Sequence, residues 1–362
     1  MRTESLNWLV CPSPGCAGPL LPSSSLYPIY SDPAEQELTE AVLGCGHCGD
    51  EYPVILGVAL LEIDLGGYLE AFWAEIESCA AELCGVEISR AMRSYLGIAS
   101  DFTGQPGPAP PLPDLEWTTS PYLQAHFDPA SLADDIAAGW WRNAVQNHLV
   151  EKNEPYAWLM AGARERTVGR ADGLAVDVGT SVGRGAAELA SLYGYSVGVD
   201  RSFRAILAAR RHLLGAPSAL QTYSLETEKG RWELRSLRPA DPLGNLDYVV
   251  ASGAALPVGP SAASCVAALN VLCASSDPLQ MLEDFSRVLT PGGMLLLSSP
   301  FWSDSTAQGE TPLAEGGPEY LRRALDPRFE IAVEQDQIPW LLRVARRRWD
   351  VYLCHCVVAT RR

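Results

Sequence analysis

The chain has 362 residues, 47% of them hydrophobic, with ten Trp and thirteen Tyr, so it is long enough for two packed domains and too apolar for a disordered one. Its 27 basic and 44 acidic residues give a net charge of -17, a surface that repels a phosphate backbone at long range, so nucleic acid is not the expected partner. No apolar run approaches the roughly 18 to 20 residues needed to span a bilayer, and the opening MRTESLNWLVCPSPGC lacks an apolar core with a small-residue cleavage site; no membrane partner and a cytoplasmic location are expected.

Ten cysteines in such a chain suggest metal or structural thiols before disulfides. Cys11 and Cys16 in CPSPGC, then Cys45 and Cys48 in CGHCG, form two Pro/Gly-rich knuckles with metal-ligand spacing. Four thiolates in two close pairs make a closed tetrahedral zinc site, structural because it keeps no open position for chemistry. His47, inside the second knuckle, is expected to face solvent. The knuckle with the following GDEYPVILGVALLE resembles the small zinc-ribbon proteins that activate tRNA and protein methyltransferases, and the amino-terminal ribbons of some rRNA methyltransferases, over residues 8 to about 63. A unit this small cannot bury a large core, whereas structural zinc contributes about 10 to 16 kcal/mol apparent in finger peptides.

Residues 66 to 99 read as helical, with Leu69, Phe72, Trp73, Ile76, Leu83 and Val86 at helical spacing. The Pro-rich run GQPGPAPPLPD (104–114) is an extended linker and a boundary. After SPYLQAHFDP, residues 130 to 160 read as helical again. The expected organisation is a zinc ribbon over 1–65, a helical linker and lid over 66–150, and an α/β domain over 151–362.

Leu174 to Asp200 reads LAVDVGTSVGRGAAELASLYGYSVGVD: an apolar strand ending at Asp177, a turn with Gly179, Gly183 and Gly185, a helix, and a second strand closed by Asp200. Such a unit binds an adenosine-containing cofactor, the glycines admitting the ligand to the backbone and the second acid meeting ribose hydroxyls. A dinucleotide fingerprint fails at Ser181 and Arg184, and a carboxylate at Asp177 suits a ligand bearing an ammonium and a sulfonium. Here the chain resembles the class I S-adenosylmethionine (SAM)-dependent methyltransferases, whose first motif is an acid, any residue, then a glycine-rich turn.

Downstream segments extend that resemblance over about residues 150 to 362. LDYVVASGAALPVGPSAASCVAALNVL (246–272) and DFSRVLTPGGMLLLSSP (284–300) match the third to fifth strands in order, "RVLTPGG" being one of the more specific signatures. Residues 329–333 and 350–359 look like the final pair, the last strand antiparallel in that family. The resemblance implies an α/β, Rossmann-like, seven-stranded sheet with SAM held at Asp177, Gly179, Thr180, Ser181, Gly183, Asp200, Arg201, Ser252, Gly253, Ala254 and Asn270. Ser252 and Ser264 stand where many relatives have acids, which puts the adenine contacts in question more than the fold. Because the segment before the first strand often covers the cofactor in this fold, Tyr122, His126, Trp140 and Trp141 are candidates for a lid or substrate pocket.

No catalytic constellation stands out: there is no G-x-S-x-G elbow, H-E-x-x-H pair or P-loop. Methyl transfer is an in-line displacement in which alignment does most of the work, and a neutral nitrogen acceptor needs little acid–base help. GYSVGVDRSFRAILAARRHLL (194–214) is faintly similar to the carnosine N-methyltransferase group, which implies an imidazole nitrogen in a small peptide or protein. Asn270 is followed by Val-Leu, not by the Pro-Pro-Tyr of many amino-group methyltransferases. The expected activity is methyl transfer to a small molecule or peptide; the alternatives are an rRNA or tRNA methyltransferase and a non-catalytic SAM-binding scaffold. Arg343, Arg346, Arg347 and Arg348 are expected on a solvated helix or loop face, anion recognition being the alternative. Most of Cys79, Cys84, Cys265, Cys273, Cys354 and Cys356 are expected as buried small hydrophobes, with His355 facing away from its two flanking thiols.

Overall fold

Two cysteine knuckles and a hairpin build the first part of the chain. The computed structural model describes residues 1–24, 29–32, 36–98, 112–133, 136, 139–151, 154–167, 171–215, 222–228, 231–237, 240–302 and 312–362. Most of the Pro-rich segment expected as a linker lies outside them. Strands β1 (Leu20–Pro22), β3 (Glu37–Cys45), β4 (Glu51–Ile55) and β5 (Val58–Ala59) pair antiparallel in the order β1-β3-β4-β5, and β2 (Tyr30–Asp32) pairs with the start of β3.

The helical stretch after the ribbon is not continuous. α1 (Leu65–Cys79) starts at Asp64, whose carboxylate accepts from Gly67 N at 2.9 Å. A π-turn over Ala80–Cys84 ends it at Gly85, which takes φ +66°, a left-handed stop that glycine adopts at no steric cost. α2 (Arg90–Tyr95) then restarts from a Ser89 cap. α1 buries Tyr68, Trp73 and Ile76 against the remainder of the protein.

Helices α3 (Leu112–Phe127), α4 (Trp140–Glu151) and α5 (Pro155–Arg166) lead into the main sheet. Its elements are β6 (Ala171–Val178), α6 (Arg184–Ala190), β7 (Tyr193–Asp200), α7 (Phe203–Leu213), β8 (Thr222–Glu228), β9 (Arg231–Ser236), β10 (Leu246–Val250), β11 (Ala263–Leu269), α8 (Pro278–Val288), β12 (Leu289–Ser299), α9 (Pro312–Leu325), β13 (Phe329–Ala345) and β14 (Arg348–Arg361). The strand order is β10-β7-β6-β11-β12-β14-β13-β8-β9. The first five of these run parallel, and β14 enters antiparallel beside β12. Among the described residues the sheet therefore has nine strands, not the expected seven. The extra two, β8 and β9, form a hairpin joined to β13 through the single pair Ala345–Glu226. Tyr223 and Leu225 of β8 are buried and alternate with polar residues, but the run is short, and the exposed β9 carries mostly charged residues, so the pair carries no family motif.

The final hairpin also differs from expectation. β13 runs on to Ala345, well past Val333, and carries Arg343 into the interior, where it is fully buried. Its guanidinium donates to the carbonyls of Ser131 and Arg346, both at 3.4 Å, and lies 5.7 Å over the Trp349 ring. Arg346, Arg347 and Arg348 are exposed, so the expected solvated face holds for three of the four. Cys354 and Cys356 are buried on one side of β14 and His355 on the other, its Nε2 3.1 Å from Glu334.

The five-stranded amino-terminal sheet and the main sheet share one apolar core. Leu9, Leu20, Leu43 and Tyr52 pack with Val249, Leu256, Val258 and Phe285. The backbone also joins them: Leu61 N donates to Val250 O at 2.7 Å and Val10 N to Pro257 O at 3.0 Å, so the ribbon covers the β10 edge of the sheet. A buried ionic joint locks the contact. Asp247 on β10 pairs with Arg210 of α7 and accepts from Ser5 Oγ (2.5 Å) and Arg2 N (2.8 Å), and Arg210 also reaches Glu37. Burial alone would raise the Asp247 carboxyl, but Arg210 and the N-terminal ammonium hold it below the usual carboxylate value.

Candidate functional site

Sheet order reverses at β6, whose two neighbours β7 and β11 lead in opposite directions, and a crevice opens beyond the strand ends at such a switch point. The turn after β6 is tight for local reasons. Gly179 has φ +69°, and a Cβ there would sit 2.6 Å from Val271. Gly183 has φ +94° and packs under Tyr248, whose hydroxyl donates to Gly183 O at 2.8 Å. Ser181 also takes positive φ, at +50°.

A cavity of about 430 Å³, within the usual size of a ligand pocket, lies above this turn. Its walls are the ends of β6 (Gly179, Ser181), β7 (Asp200, Arg201), β10 (Ser252, Gly253, Ala254) and β11 (Asn270). Tyr122 of α3 lines it too. Asp200 is held by two amides, Oδ2 accepting from Ser181 N at 2.8 Å and Oδ1 from Ser202 N at 2.9 Å. Burial raises its carboxyl above the ordinary value, with the amide bonds opposing. Asn270 takes φ +57° and its Oδ1 accepts from Ser298 Oγ at 2.8 Å, which fixes the side chain at the strand end. Arg201 pairs with the buried Glu62 at 3.3 Å, from the segment between β5 and α1.

Other expected residues lie elsewhere. Asp177 is 1% exposed and does not line the cavity. Its Oδ2 accepts from Thr180 Oγ1 at 2.6 Å and from Ala186 N at 2.8 Å. Gly183, the N-cap of α6, has no side chain to satisfy that helix, and Asp177 supplies the missing acceptor. Burial pushes its carboxyl up to about 7 despite these two bonds. Thr180 is likewise buried, and Gly183 supports the turn from below, so these three shape the loop from behind. Trp140 is 79% exposed, and Trp141 packs edge-on against Trp349 at 5.7 Å; neither lines the cavity, because α4 buries Val145 against Leu132 and Leu341 instead. His126 stands outside the cavity wall, stacked on Trp340.

Residues 176–297 match the protein family described as "Methyltransferase domain". The protein carries a methyltransferase domain and is an enzyme. The family implies SAM as methyl donor, and the sheet order with its antiparallel β14 is the class I methyltransferase fold. Solved structures similar to this chain include the YcgJ protein of Bacillus subtilis (10% identity, 57% of this chain and 98% of that one, TM-score 0.39). A chain of the complex between the Haloferax volcanii Trm112 methyltransferase activator and a putative methyltransferase is similar at 17% identity, over 64% of this chain and 96% of that one, with a TM-score of 0.39. A SAM-dependent methyltransferase of Methanosarcina mazei is similar at 18% identity, over 54% of this chain and 95% of that one, with a TM-score of 0.37. No curated protein matches the sequence.

Three residues lining the 430 Å³ cavity carry no motif that would have marked them in the sequence: Tyr156 of α5, Trp340 of β13 and Met281 of α8. Met281 packs under Gly253, where a Cβ would meet its Cε at 2.6 Å. Tyr156 and Trp340 come from segments without a family signature, and only their aromatic character distinguishes them.

Outside the lining of this cavity, the sulfur atoms of Cys11, Cys16, Cys45 and Cys48 lie within 4.8 Å of one another. The Cys11–Cys48 and Cys16–Cys45 separations are 3.6 and 3.5 Å. Zn–S bonds of about 2.3 Å in a tetrahedron place sulfurs about 3.8 Å apart, so the donor set fits zinc. Tyr52 Oη lies 3.2 Å from Cys11 Sγ and His47 N donates to Cys45 Sγ at 3.4 Å, an outer shell of the kind thiolates use. His47 itself is exposed. Among the described residues no helix is long and apolar enough to cross a membrane.

Proposed function

We propose that the protein transfers a methyl group from SAM to a small-molecule or peptide acceptor, with Cys11, Cys16, Cys45 and Cys48 holding a structural zinc. The observation that carries this reading is the Asp200 carboxylate, oriented by two backbone amides on the wall of a cavity at the sheet's switch point. The cavity residues fit the donor. Asp200 would accept from the ribose hydroxyls, the Ser252–Ala254 backbone would meet the adenine, and Gly179, Ser181 and Asn270 would border the amino-acid end. When bound, SAM supplies an electrophilic methyl on a sulfonium; Tyr122, Tyr156 and Trp340 line the same cavity and give it an aromatic wall. The chain's own contribution is to align the acceptor and exclude water. With net charge -17, nucleic acid is disfavoured as acceptor.

Isothermal titration calorimetry with SAM and with its demethylated product tests the first step: both are expected to release or absorb heat at one site per chain. Absence of heat with both ends the reading. Tritium transfer from methyl-labelled SAM into fractionated lysate, with and without RNase, then separates RNA from metabolite and peptide acceptors. RNase-sensitive label would refute a small-molecule or peptide acceptor.

A further inference from the structure

Helix α8 runs along the loop that follows β10, and the contacts between the two keep step. Met281 packs under Gly253, where an added Cβ would meet its Cε at 2.6 Å. Further along, Asp284 Oδ2 accepts from Leu256 N at 2.7 Å, and Arg287 donates to the carbonyls of Leu256 at 2.9 Å and Val258 at 2.8 Å. Carried one turn back from Met281, the same alignment brings Asp277 to the level of Ser252, because residues four apart share a helix face. Both residues line the strand-end cavity.

Asp277 caps α8 with one oxygen only. Its Oδ1 accepts from Gln280 N at 2.9 Å, and Pro278 at the first helical position has no N–H to satisfy. Among the described residues, Oδ2 has no hydrogen-bond or ion-pair partner. The neighbouring hydroxyls are engaged with the backbone: Ser252 Oγ accepts from Ala254 N at 3.3 Å, and Ser275 Oγ from Asp277 N at 3.1 Å. Asp200, the other carboxylate in the described lining, has an amide on each oxygen. Asp277 Oδ2 is therefore the charged acceptor that the protein itself leaves open, and it stands at the β10 end of the cavity.

We propose that Asp277 is the residue by which the cavity selects adenine, its Oδ2 accepting a hydrogen bond from the ring's exocyclic amino group. The proposal rests on the reading of the cavity as a SAM site with the Ser252–Ala254 loop beside the ring. Adenine presents an amino donor next to ring-nitrogen acceptors. Backbone N–H groups of the loop can donate to a ring nitrogen, whereas the amino group needs an acceptor. An ionised carboxylate only accepts, and its bonds are stronger than those of a neutral oxygen. A purine with hydrogen in place of the amino group would crowd water from Asp277 and return no bond, so the site discriminates against it.

The test titrates the full chain by calorimetry with two ligands: the demethylated product of SAM, and its analogue carrying hydrogen in place of the adenine amino group. The native chain is expected to bind the amino ligand about tenfold more tightly, the scale of a hydrogen bond to a charged group. The variant is Asp277→Ser, because serine still caps α8 through Gln280 N but brings no carboxylate to the cavity. It is expected to lose about tenfold for the amino ligand and less than about twofold for the analogue, with the thermal midpoint little moved. Equal losses for the two ligands would assign Asp277 to holding α8 alone and overturn the proposal. Undiminished affinity of the variant for the amino ligand would overturn it too, as would equal affinity of the native chain for both ligands, whatever the variant does. Failure of the SAM reading is a separate result, the absence of heat with either ligand on the native chain, and it removes this proposal with it.

Discussion

The buried carboxyl of Asp177 makes stability depend on pH in a direction opposite to that of most paired acids. Its folded-state pKa is about 7 against an ordinary 3.8, so between those values the native chain holds a proton that the unfolded chain has released. Stability from this group is therefore greatest below pH 4 and declines as pH rises through 7. Each pH unit separating the two pKa values corresponds to about 1.4 kcal/mol, so the charged form costs about 4 kcal/mol at pH 8, and lowering pH from 8 to 5.5 recovers about 2 kcal/mol of it. Asp177→Asn keeps an acceptor for Ala186 N and a partner for Thr180 Oγ1 while removing the charge. Urea unfolding of both proteins at pH 5.5 and 8.0 should show the native chain gaining about 2 kcal/mol more than the variant on acidification. SAM affinity should change little, because the carboxyl does not line the cavity. Parallel pH curves for the two proteins would refute the assignment of a neutral, inward-facing Asp177, and a tenfold loss of SAM affinity would show that it reaches the ligand after all.

Asp200→Ala should weaken SAM binding more than tenfold by calorimetry, with some loss of stability as the Ser181 and Ser202 amides lose their acceptor; unchanged affinity would mean the wrong strand end has been chosen. Gly183→Ala forces a Cβ to within 2.6 Å of the Tyr248 hydroxyl at φ +94°. It should cost about 1–3 kcal/mol in chemical denaturation. Cys45→Ser should lower the zinc content measured by atomic absorption and reduce the thermal midpoint. A strong chelator should lower the midpoint of the native chain and leave that of the variant nearly unmoved.

Strand–turn–helix units were legible because their determinants are contiguous. Gly179, Gly183 and Asp200 occur within one short stretch, and backbone geometry fixes where each must lie once β6 and β7 are assigned. The cysteine knuckles were legible for the same reason, as metal geometry restricts which spacings close a site. Residue identity did not reveal direction, however. Asp177 carries the motif position, yet the short α6 begins at a glycine with no side chain to cap it, and that local need turns the carboxyl inward. The tryptophans of α4 show the same limit: helical spacing places Trp140 and Trp141 on the helix, but which face is buried depends on Leu132 and Leu341 from elsewhere in the chain.

What stayed hidden depends on contacts between residues far apart in sequence. Trp340 reaches the cavity only because β13 continues beyond the parallel sheet and curls toward α3, and that extension is fixed by its pairing with β14 and by the burial of Arg343. Arg343 read as one of a basic run, since nothing local distinguishes it from Arg346 to Arg348. Its burial against Ser131 and Trp349 ties the distal hairpin to the helical segment before β6. The same hairpin therefore brings Trp340, a residue with no motif, to the wall of the strand-end cavity. Motif residues line one side of this cavity and topology supplies the other, which is why sequence patterns picked out the strand-end crevice and could not delimit what lies across from it.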